Sequence, residues 1–581
     1  MKSNKIIRQE ENMKKNTPFY EVRDITDLKD MLAQSVSLFG DKTILLVKET
    51  KGEPYKEISY NRFNADINAL GTALMDLKIP DTRVAVIAES RYEWYVTYLS
   101  TVNGAGIIVP LDKELPQQEI ANLIKRAHCN VVVYSASKAK DLEAIKDQIP
   151  SVQYFIGMDE TQDSGNVLSF SGMIAKGNES LQKGERSFLD AAIDPNEMKI
   201  ILFTSGTTSD AKAVMLSHYN IAFNLMEMCK MIFIGPEDTF LSVLPLHHTY
   251  ECTCGFLCQV YRGSRIAQCE GLRYIVKNMQ ESKVTIMLVV PLMIESFYRK
   301  IFSKENEPKL RKAIAVSNAL RKVGIDLRRK LFAKVHENFG GHLKLLISGG
   351  APVDPQMLKD MQDIGINAVQ GYGLTECAPI LAVNRDVYYK NDAAGMIMPG
   401  GDIRIIDVDE NGNGEIIGKG ANIMLGYYEN EEATKESIVD GYFHTGDIGY
   451  IDEDRFVFIT GRKKNVIITR NGKNIFPEEI ETLLVREPHI KEALVYGKAE
   501  EDGDISVSAE IYPDYDAVKD TLGNPCSPEK LKQLIGEEVK AVNKMLTSYK
   551  YIRNFNIRET EFEKTTSKKI KRAAFIPVNQ K

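Results

Sequence analysis

The stretch Phe203–Asn220, FTSGTTSDAKAVMLSHYN, sets the hydroxyls of Thr204, Ser205, Thr207, Thr208 and Ser209 around one glycine, Gly206, and then reaches Lys212. Apolar Ile200–Phe203 before it reads as a strand, and Ser217–Asn224 after it reads as the start of a helix. A loop of small and hydroxyl residues turns backbone N–H groups toward an anion, and a lysine adds a point charge, so the stretch suits a phosphate. A polar surface turn is the bland alternative. The spacing is not the common nucleotide loop G-x-x-x-x-G-K-[ST], because Asp210 and Ala211 precede the lysine and Ala213 follows it. Nor is it a nucleophile elbow, since Phe203 fills the first glycine position of G-x-S-x-G.

Outward from this loop the chain alternates strand and helix. RVAVIAES (Arg83–Ser90) reads as a buried strand, EWYVTYLSTVNGAG as a helix ending on glycines, and IIVPLD as the next strand. The pattern returns at KLLISGG (Lys344–Gly350), followed by a helix with Asp354 as N-cap and Pro355 in its first turn, then NAVQGYG. Such alternation predicts an α/β fold with parallel pairing. After about Ala394 glycines become frequent and strands short, as in a small β-unit of hairpins. Beyond Lys464 come a short helix (FPEEIETLLVREP), a strand (KEALVYGKA) and a helix capped by Ser527 and Pro528, which predict a small α+β domain. The expected organisation is a polar leader over 1–18, a large domain over 19–463 and a C-terminal domain over 464–581.

The 581 residues are 43% apolar and 27% charged, with a net charge of −6, which fits a globular protein and disfavours a nucleic-acid partner. Eight cysteines without framework spacing suit reduced thiols in the cytoplasm. The charged start shows no secretory signal. The longest apolar run, Val284–Ile294, is too short to span a bilayer and contains Pro291, which leaves room for peripheral contact at the inner membrane surface.

The loop TSGTTSDAKAVMLSH resembles the phosphate-loop signature of the adenylate-forming, or AMP-binding, superfamily, which includes the acyl-CoA synthetases. Further motifs follow in the family's order: LPLHHTYE (Leu244–Glu251), ISGGAP (Ile347–Pro352), QGYGLTE (Gln370–Glu376), GEIIGKGANIMLGYY (Gly414–Tyr428), GYFHTGD (Gly441–Asp447), GRKKNVIITRNGKNIFPEEIE (Gly461–Glu481) and KTTSKKIKR (Lys564–Arg572). The similarity covers about residues 20–575 and is greatest to the long-chain fatty acid–CoA ligase branch.

The resemblance implies a large N-terminal domain of two α/β layers with a β-barrel-like unit, then a small mobile C-terminal domain. It implies a two-step reaction. A fatty acid carboxylate attacks the α-phosphate of ATP to give acyl-AMP and pyrophosphate, and the thiol of CoA, or of an acyl-carrier protein, then displaces AMP. By the same resemblance, Thr204, Ser205, Gly206, Thr207, Thr208 and Lys212 hold the β- and γ-phosphates. Gly349, Gly350, Ala351, Gly371, Tyr372 and Gly373 surround the adenine, and Thr375 donates to the α-phosphate. Glu376 positions Mg²⁺, Asp447 accepts from the ribose hydroxyls, and Arg462 donates to the ribose or phosphate side. His248 is placed among the catalytic residues, and Lys569 is the acyl-activating lysine, with Lys568, in place of the family's glycine, as its rival. Lys464 is the hinge for domain rotation, and Gly472 lines the pantetheine path.

Two metal patterns are set aside. DVDENGNGEIIG begins like a calcium loop but carries Gly418 where a glutamate is needed, and His247, His248, Cys252, Cys254 and Cys258 lack zinc spacing. Within the class, a medium-chain or aryl acid–CoA ligase and a carrier-protein ligase are the alternatives. Outside it stands a non-catalytic acyl- or nucleotide-binding protein, against which the retention of Lys212, Glu376, Asp447, Arg462 and Lys569 argues.

Overall fold

The computed structural model describes residues 14–204, 211–303, 305–468, 473–500, 505–523, 526–564, 570–572 and 575. The chain divides into two compact units. The first runs to Ile403 and takes in Gly418–Phe443 and Asp454–Phe456; the second comprises Arg404–Ile417, His444–Glu453 and the chain from Val457 onward.

Two sheets organise the first unit. In one, the strands Ile380–Val383, Asn367–Gly373, Leu345–Ser348, Ile286–Val289, Thr239–Ser242, Arg265–Gln268 and Thr43–Val47 lie side by side in that order. Its centre is parallel, with Ile286 opposite Leu345 and Leu345 opposite Asn367. In the other, Ala213–Ser217, Met198–Phe203, Ile107–Pro110, Arg83–Ile87, Val131–Tyr134 and Tyr154–Gly157 follow one another. Val84 there pairs in parallel with both Ile108 and Val131. The central strands are buried along their whole length, as parallel strands covered on both faces must be. These are the two α/β layers implied by the sequence.

Local chemistry sets the helix starts. Asp354 accepts from the N–H groups of Gln356 and Met357, with Pro355 opening the helix Pro355–Asp363. Ser527 caps Pro528–Met545 in the same way. The end of the polar leader is docked, because the buried Arg385 donates to the carbonyls of Thr17 and Pro18, both at 2.7 Å.

In the second unit, residues 447–451 and 457–462 pair antiparallel, with Asp447 opposite Arg462. Further along, Ile490–Ala499 pairs with Ile505–Pro513, which pairs in parallel with Ile552–Ile557. The helices Pro477–Leu484 and Pro528–Met545 seal this sheet through Ile480, Leu484, Ile535, Val539 and Val542.

Candidate active site

The phosphate-loop stretch closes between two strands and not directly onto a helix. Met198–Phe203 pairs antiparallel with Ala213–Ser217, Phe203 opposite Ala213. Across the mouth, the Thr204 N–H donates to the Lys212 carbonyl at 3.0 Å, and the Lys212 N–H donates to Thr204 Oγ1 at 3.3 Å. Ser205, Gly206, Thr207 and Thr208 lie outside the described residues, as do Gly472, Lys568 and Lys569.

Lys212 meets Glu376 through a residue that the motif reading did not single out. The Lys212 ammonium sits 4.5 Å from the centre of the Tyr427 ring, and Tyr427 Oη donates to Glu376 Oε1 at 3.0 Å. Tyr427 belongs to a short strand, Gly426–Tyr427, that pairs with Ala213–Ser217. Burial, and then the neighbouring Glu376 carboxylate, push the phenol's pKa up, so Tyr427 remains a donor. The backbone of Glu376 is held as well, since the Met424 N–H donates to its carbonyl at 2.8 Å.

One helix pins the segments that carry these groups. His218–Met231 begins at a capping box made by Ser217 and Asn220. One turn apart, Asn220 Nδ2 donates to the carbonyls of Ala421 and Ile423, and Asn224 Nδ2 to those of Cys377 and Ile380. Asn224 is fully buried. Asn224→Ala removes two buried hydrogen bonds, at roughly 0.5–1.5 kcal/mol each, while the Ile380 carbonyl still accepts from Asn422 Nδ2 at 2.7 Å. We expect a lower thermal unfolding midpoint, with ATP restoring part of the loss; an unchanged midpoint would show that the clamp is dispensable.

The glycine-rich turns lie at the ends of parallel strands. Gly349–Ala351 follows Leu345–Ser348, and Gly350 has φ +89°, a backbone that side chains rarely adopt. Gly371, Tyr372 and Gly373 close the strand Asn367–Gly373 opposite Val383, Ala382 and Ile380. At Gly373 a Cβ would fall 1.8 Å from the Pro379 carbonyl oxygen, so only glycine fits. Tyr372 is largely buried, and Thr375 opens the single turn Thr375–Cys377.

The HHTYE segment packs beside these turns. Tyr250 Oη donates to the Ile347 carbonyl at 2.7 Å, and its ring lies against Gly349. The His248 ring lies 4.1 Å from that of His247, tilted by 50°, and His247 Nε2 is 3.6 Å from Asp112 Oδ2. Burial, then the adjacent His248, depress the His247 pKa well below the usual imidazole value, so His247 is neutral.

Glu251 lies at the start of the π-helical turn Tyr250–Leu257. Its side chain is fully buried, with Oε1 accepting from Ser242 Oγ at 2.6 Å and Oε2 without a partner among the described residues. Burial raises its pKa to about 8, against hydrogen bonds that oppose the rise. The folded protein then holds this proton up to about pH 8 while the unfolded chain releases it near 4.5. Stability from this group is therefore greatest at acid pH and falls as pH rises through that window. Glu251→Gln should flatten the decline in the urea unfolding midpoint between about pH 5 and 8; parallel profiles for variant and wild type would refute the assignment.

In the second unit, Arg462 Nε lies 2.6 Å from the buried Asp447 Oδ1, so these two predicted nucleotide ligands form one cross-strand pair. Lys464 is exposed in the turn Lys463–Asn465, while Lys463 pairs with Glu415 at 2.7 Å. The segment that contains Lys569 is anchored at both ends. Lys564 pairs with Glu492 and Glu561, and it bridges antiparallel to Ile570. Arg572 pairs with Glu481 and donates to the Val495 carbonyl at 3.1 Å.

A family model described as AMP-binding enzyme matches residues 32–428. The chain belongs to the AMP-binding enzyme family. Curated relatives agree with the match along most of the chain. Long-chain-fatty-acid–CoA ligase 6 of Mus musculus is 27% identical over 566 residues, covering 91% of this chain and 80% of that protein. Long-chain-fatty-acid–CoA ligase 1 of Homo sapiens is 28% identical, covering 83% of this chain and 73% of that protein. Among solved structures, an anthranilate CoA ligase in complex with anthranoyl-AMP superposes with a TM-score of 0.75 at 18% identity, covering 96% of this chain and 97% of that one. A fatty acyl CoA synthetase of Mycobacterium tuberculosis gives 0.65 at 21% identity, covering 94% and 97%. The AMP-binding fold is thus common to this chain and these enzymes.

Proposed function

We propose that this AMP-binding enzyme is an ATP-dependent long-chain fatty acid–CoA ligase. A fatty acid carboxylate oxygen attacks the α-phosphate of ATP, the bond to the β-phosphate breaks, and pyrophosphate leaves. The sulfur of CoA then attacks the acyl carbonyl, and AMP leaves with the bonding electrons. The observation that carries this reading is the Lys212–Tyr427–Glu376 contact at the mouth of the phosphate loop. It sets a cation over the ring and a carboxylate at the hydroxyl of one aromatic donor, beside the phosphate loop where a triphosphate would enter. The printed names of the relatives support the acid and the thiol.

The first step drives two anions together, so preorganised donors and cations are its main requirement. Thr204 and Lys212 serve the β- and γ-phosphates, and Thr375 the α-phosphate. Gly350 and Gly373 keep the backbone open to the nucleotide. Tyr427 orients Glu376 and is itself steadied by Lys212. Asp447 and Arg462 exchange part of their mutual pairing for the ribose hydroxyls, and Lys569 serves the acyl carboxylate and α-phosphate. Lys464 is the position whose backbone torsions change between the two half-reactions.

Magnesium fits this donor set. Among the described residues no group of three or more His, Cys, Asp or Glu side chains could cage a metal ion, while Glu376 offers a single hard carboxylate. That is how Mg²⁺ is bound when substrate phosphates and water complete its shell. Glu376 would hold the ion, which would supply charge neutralisation on the phosphates.

The test is pyrophosphate release from ATP and Mg²⁺ across acids from acetate to oleate, with and without CoA. Release that peaks with long chains, and yields acyl-CoA only when CoA is present, is the expected result. No release with any acid, from folded protein that still binds ATP, would overturn the ligase reading.

A further inference from the structure

Asp447 and Arg462 face each other across two strands, and a third side chain ties together the turns beside them. Glu415, on the strand Gly414–Lys419, belongs to the same unit as residues 444–447 and 461–463. It is 4% exposed, and its two oxygens take different partners. Oε1 accepts from the Gly446 N–H at 3.3 Å, one residue before Asp447. Oε2 accepts from the Lys463 ammonium at 2.7 Å, one residue after Arg462. His444 Nδ1 lies 3.4 Å from the same oxygen. Arg462 Nε stands 2.6 Å from Asp447 Oδ1, so the contacts close a ring: Asp447, Gly446, Glu415, Lys463, Arg462 and back to Asp447.

A second tie runs beside the first. The Ile416 carbonyl accepts from Thr445 Oγ1 at 2.7 Å, and that hydroxyl accepts from the Asp447 N–H at 3.0 Å. Gly446 has φ +68°, so the N–H that meets Glu415 comes from a turn that a side chain would strain. Burial by itself disfavours an ionised Glu415. Lys463 and then His444 outweigh it and hold the pKa below the ordinary carboxylate value. Glu415 in turn raises the Lys463 pKa, so the pair is charged. A buried carboxylate needs partners wherever it stands. What distinguishes this one is that two of its partners adjoin the two residues assigned to the ribose. An amide in its place could still accept from Gly446, but its NH₂ would face the Lys463 ammonium, donor against donor.

We propose that Glu415 is a positioning residue for the ribose site. By fixing Gly446 and Lys463, it holds Asp447 and Arg462 where their side chains can receive the ribose hydroxyls. Glu415 itself touches no substrate. Its influence is on spacing, and a displacement of about 1 Å is enough to lose such a contact. The inference rests on the assignment of Asp447 and Arg462 to the ribose, and it does not require the acid or the thiol to be known.

The test is calorimetric binding of ATP and of 2′,3′-dideoxy-ATP to the full chain with no acid present. A hydrogen bond from a hydroxyl to a charged side chain is worth on the order of tenfold or more, so the wild type should prefer ATP by at least about tenfold. Glu415→Gln and Lys463→Met should bring that preference to within about threefold. Lys463→Arg, which restores the charge, should recover most of it. A merely structural role would weaken both nucleotides alike and leave their ratio unchanged. The Lys463 side chain is more than half exposed, so Lys463→Met reports on the ring even where Glu415→Gln fails to fold. Asp447→Ala should abolish the preference. If it does, while Lys463→Met and every folded Glu415→Gln sample keep the wild-type ratio, the positioning role is overturned and the ribose assignment stands. A wild type that binds both nucleotides equally overturns the ribose assignment, and the proposal with it. Failure of the ligase reading is a separate result, seen as no pyrophosphate release from protein that still discriminates the two nucleotides.

Discussion

Lys569→Ala is expected to lower acyl-AMP formation by about 10²–10³-fold, the loss that follows removal of one preorganised donor to developing charge. The step joins a carboxylate to a phosphate, and a lysine fixed before the reaction offsets their repulsion without rearrangement of solvent. The contacts on either side do not involve the Lys569 side chain and should persist in the variant. Lys564 stays paired with Glu492 and Glu561, Arg572 stays paired with Glu481, and the Lys571 N–H still donates to the Glu563 carbonyl at 2.8 Å. The readout that separates a chemical from a structural role is the second half-reaction. Supplied with synthetic acyl-AMP and CoA, the variant should form acyl-CoA at close to the wild-type rate. Lys568→Ala, measured beside it, should cost little. If instead Lys568→Ala is inactive and Lys569→Ala is not, the roles are exchanged; if both are active, neither lysine activates the acid.

What was legible in the sequence was what local chemistry or buried parallel strands impose. Runs such as Ile286–Val289 and Leu345–Ile347 are continuously apolar because both faces of those strands are covered, and this marks a parallel sheet before any partner is known. Asp354 and Ser527 announce helix starts because the cap is bonded within a few residues. The motifs located the phosphate-loop ends and Glu376 but not what joins them. Tyr427 reaches Glu376 across 51 positions and contacts Lys212 from still further away, so no short window contains the relation. The strand Ala213–Ser217 was hidden for the same reason: five residues between a loop and a helix acquire their pairing from Met198–Phe203 on one side and Gly426–Tyr427 on the other. The Asn220 and Asn224 clamp did leave a trace, two amides one turn apart on one helix face. Arg572 and Glu481, 91 positions apart, left none beyond the motifs that contain them.

Glu376→Gln should be the second large loss, about 10²–10³-fold in kcat/KM for ATP, for a different reason. The exchange keeps the side chain's size and the oxygen that accepts from Tyr427 at 3.0 Å, and the backbone bond from Met424 does not involve the side chain. What disappears is the negative charge, and with it the hold on a hard cation that neutralises phosphate oxygens, an effect on the order of several kcal/mol in a reacting centre. Raising Mg²⁺ should recover part of the activity of Glu376→Gln, because a weakened site fills at higher concentration. Tyr427→Phe provides the contrast. It leaves the carboxylate charged and removes one hydrogen bond, roughly 0.5–1.5 kcal/mol, so its kcat/KM should fall only several-fold and respond little to Mg²⁺. Equal losses in the two variants, neither of them relieved by Mg²⁺, would mean that Glu376 acts by holding Tyr427 in place and that the cation is held by other groups.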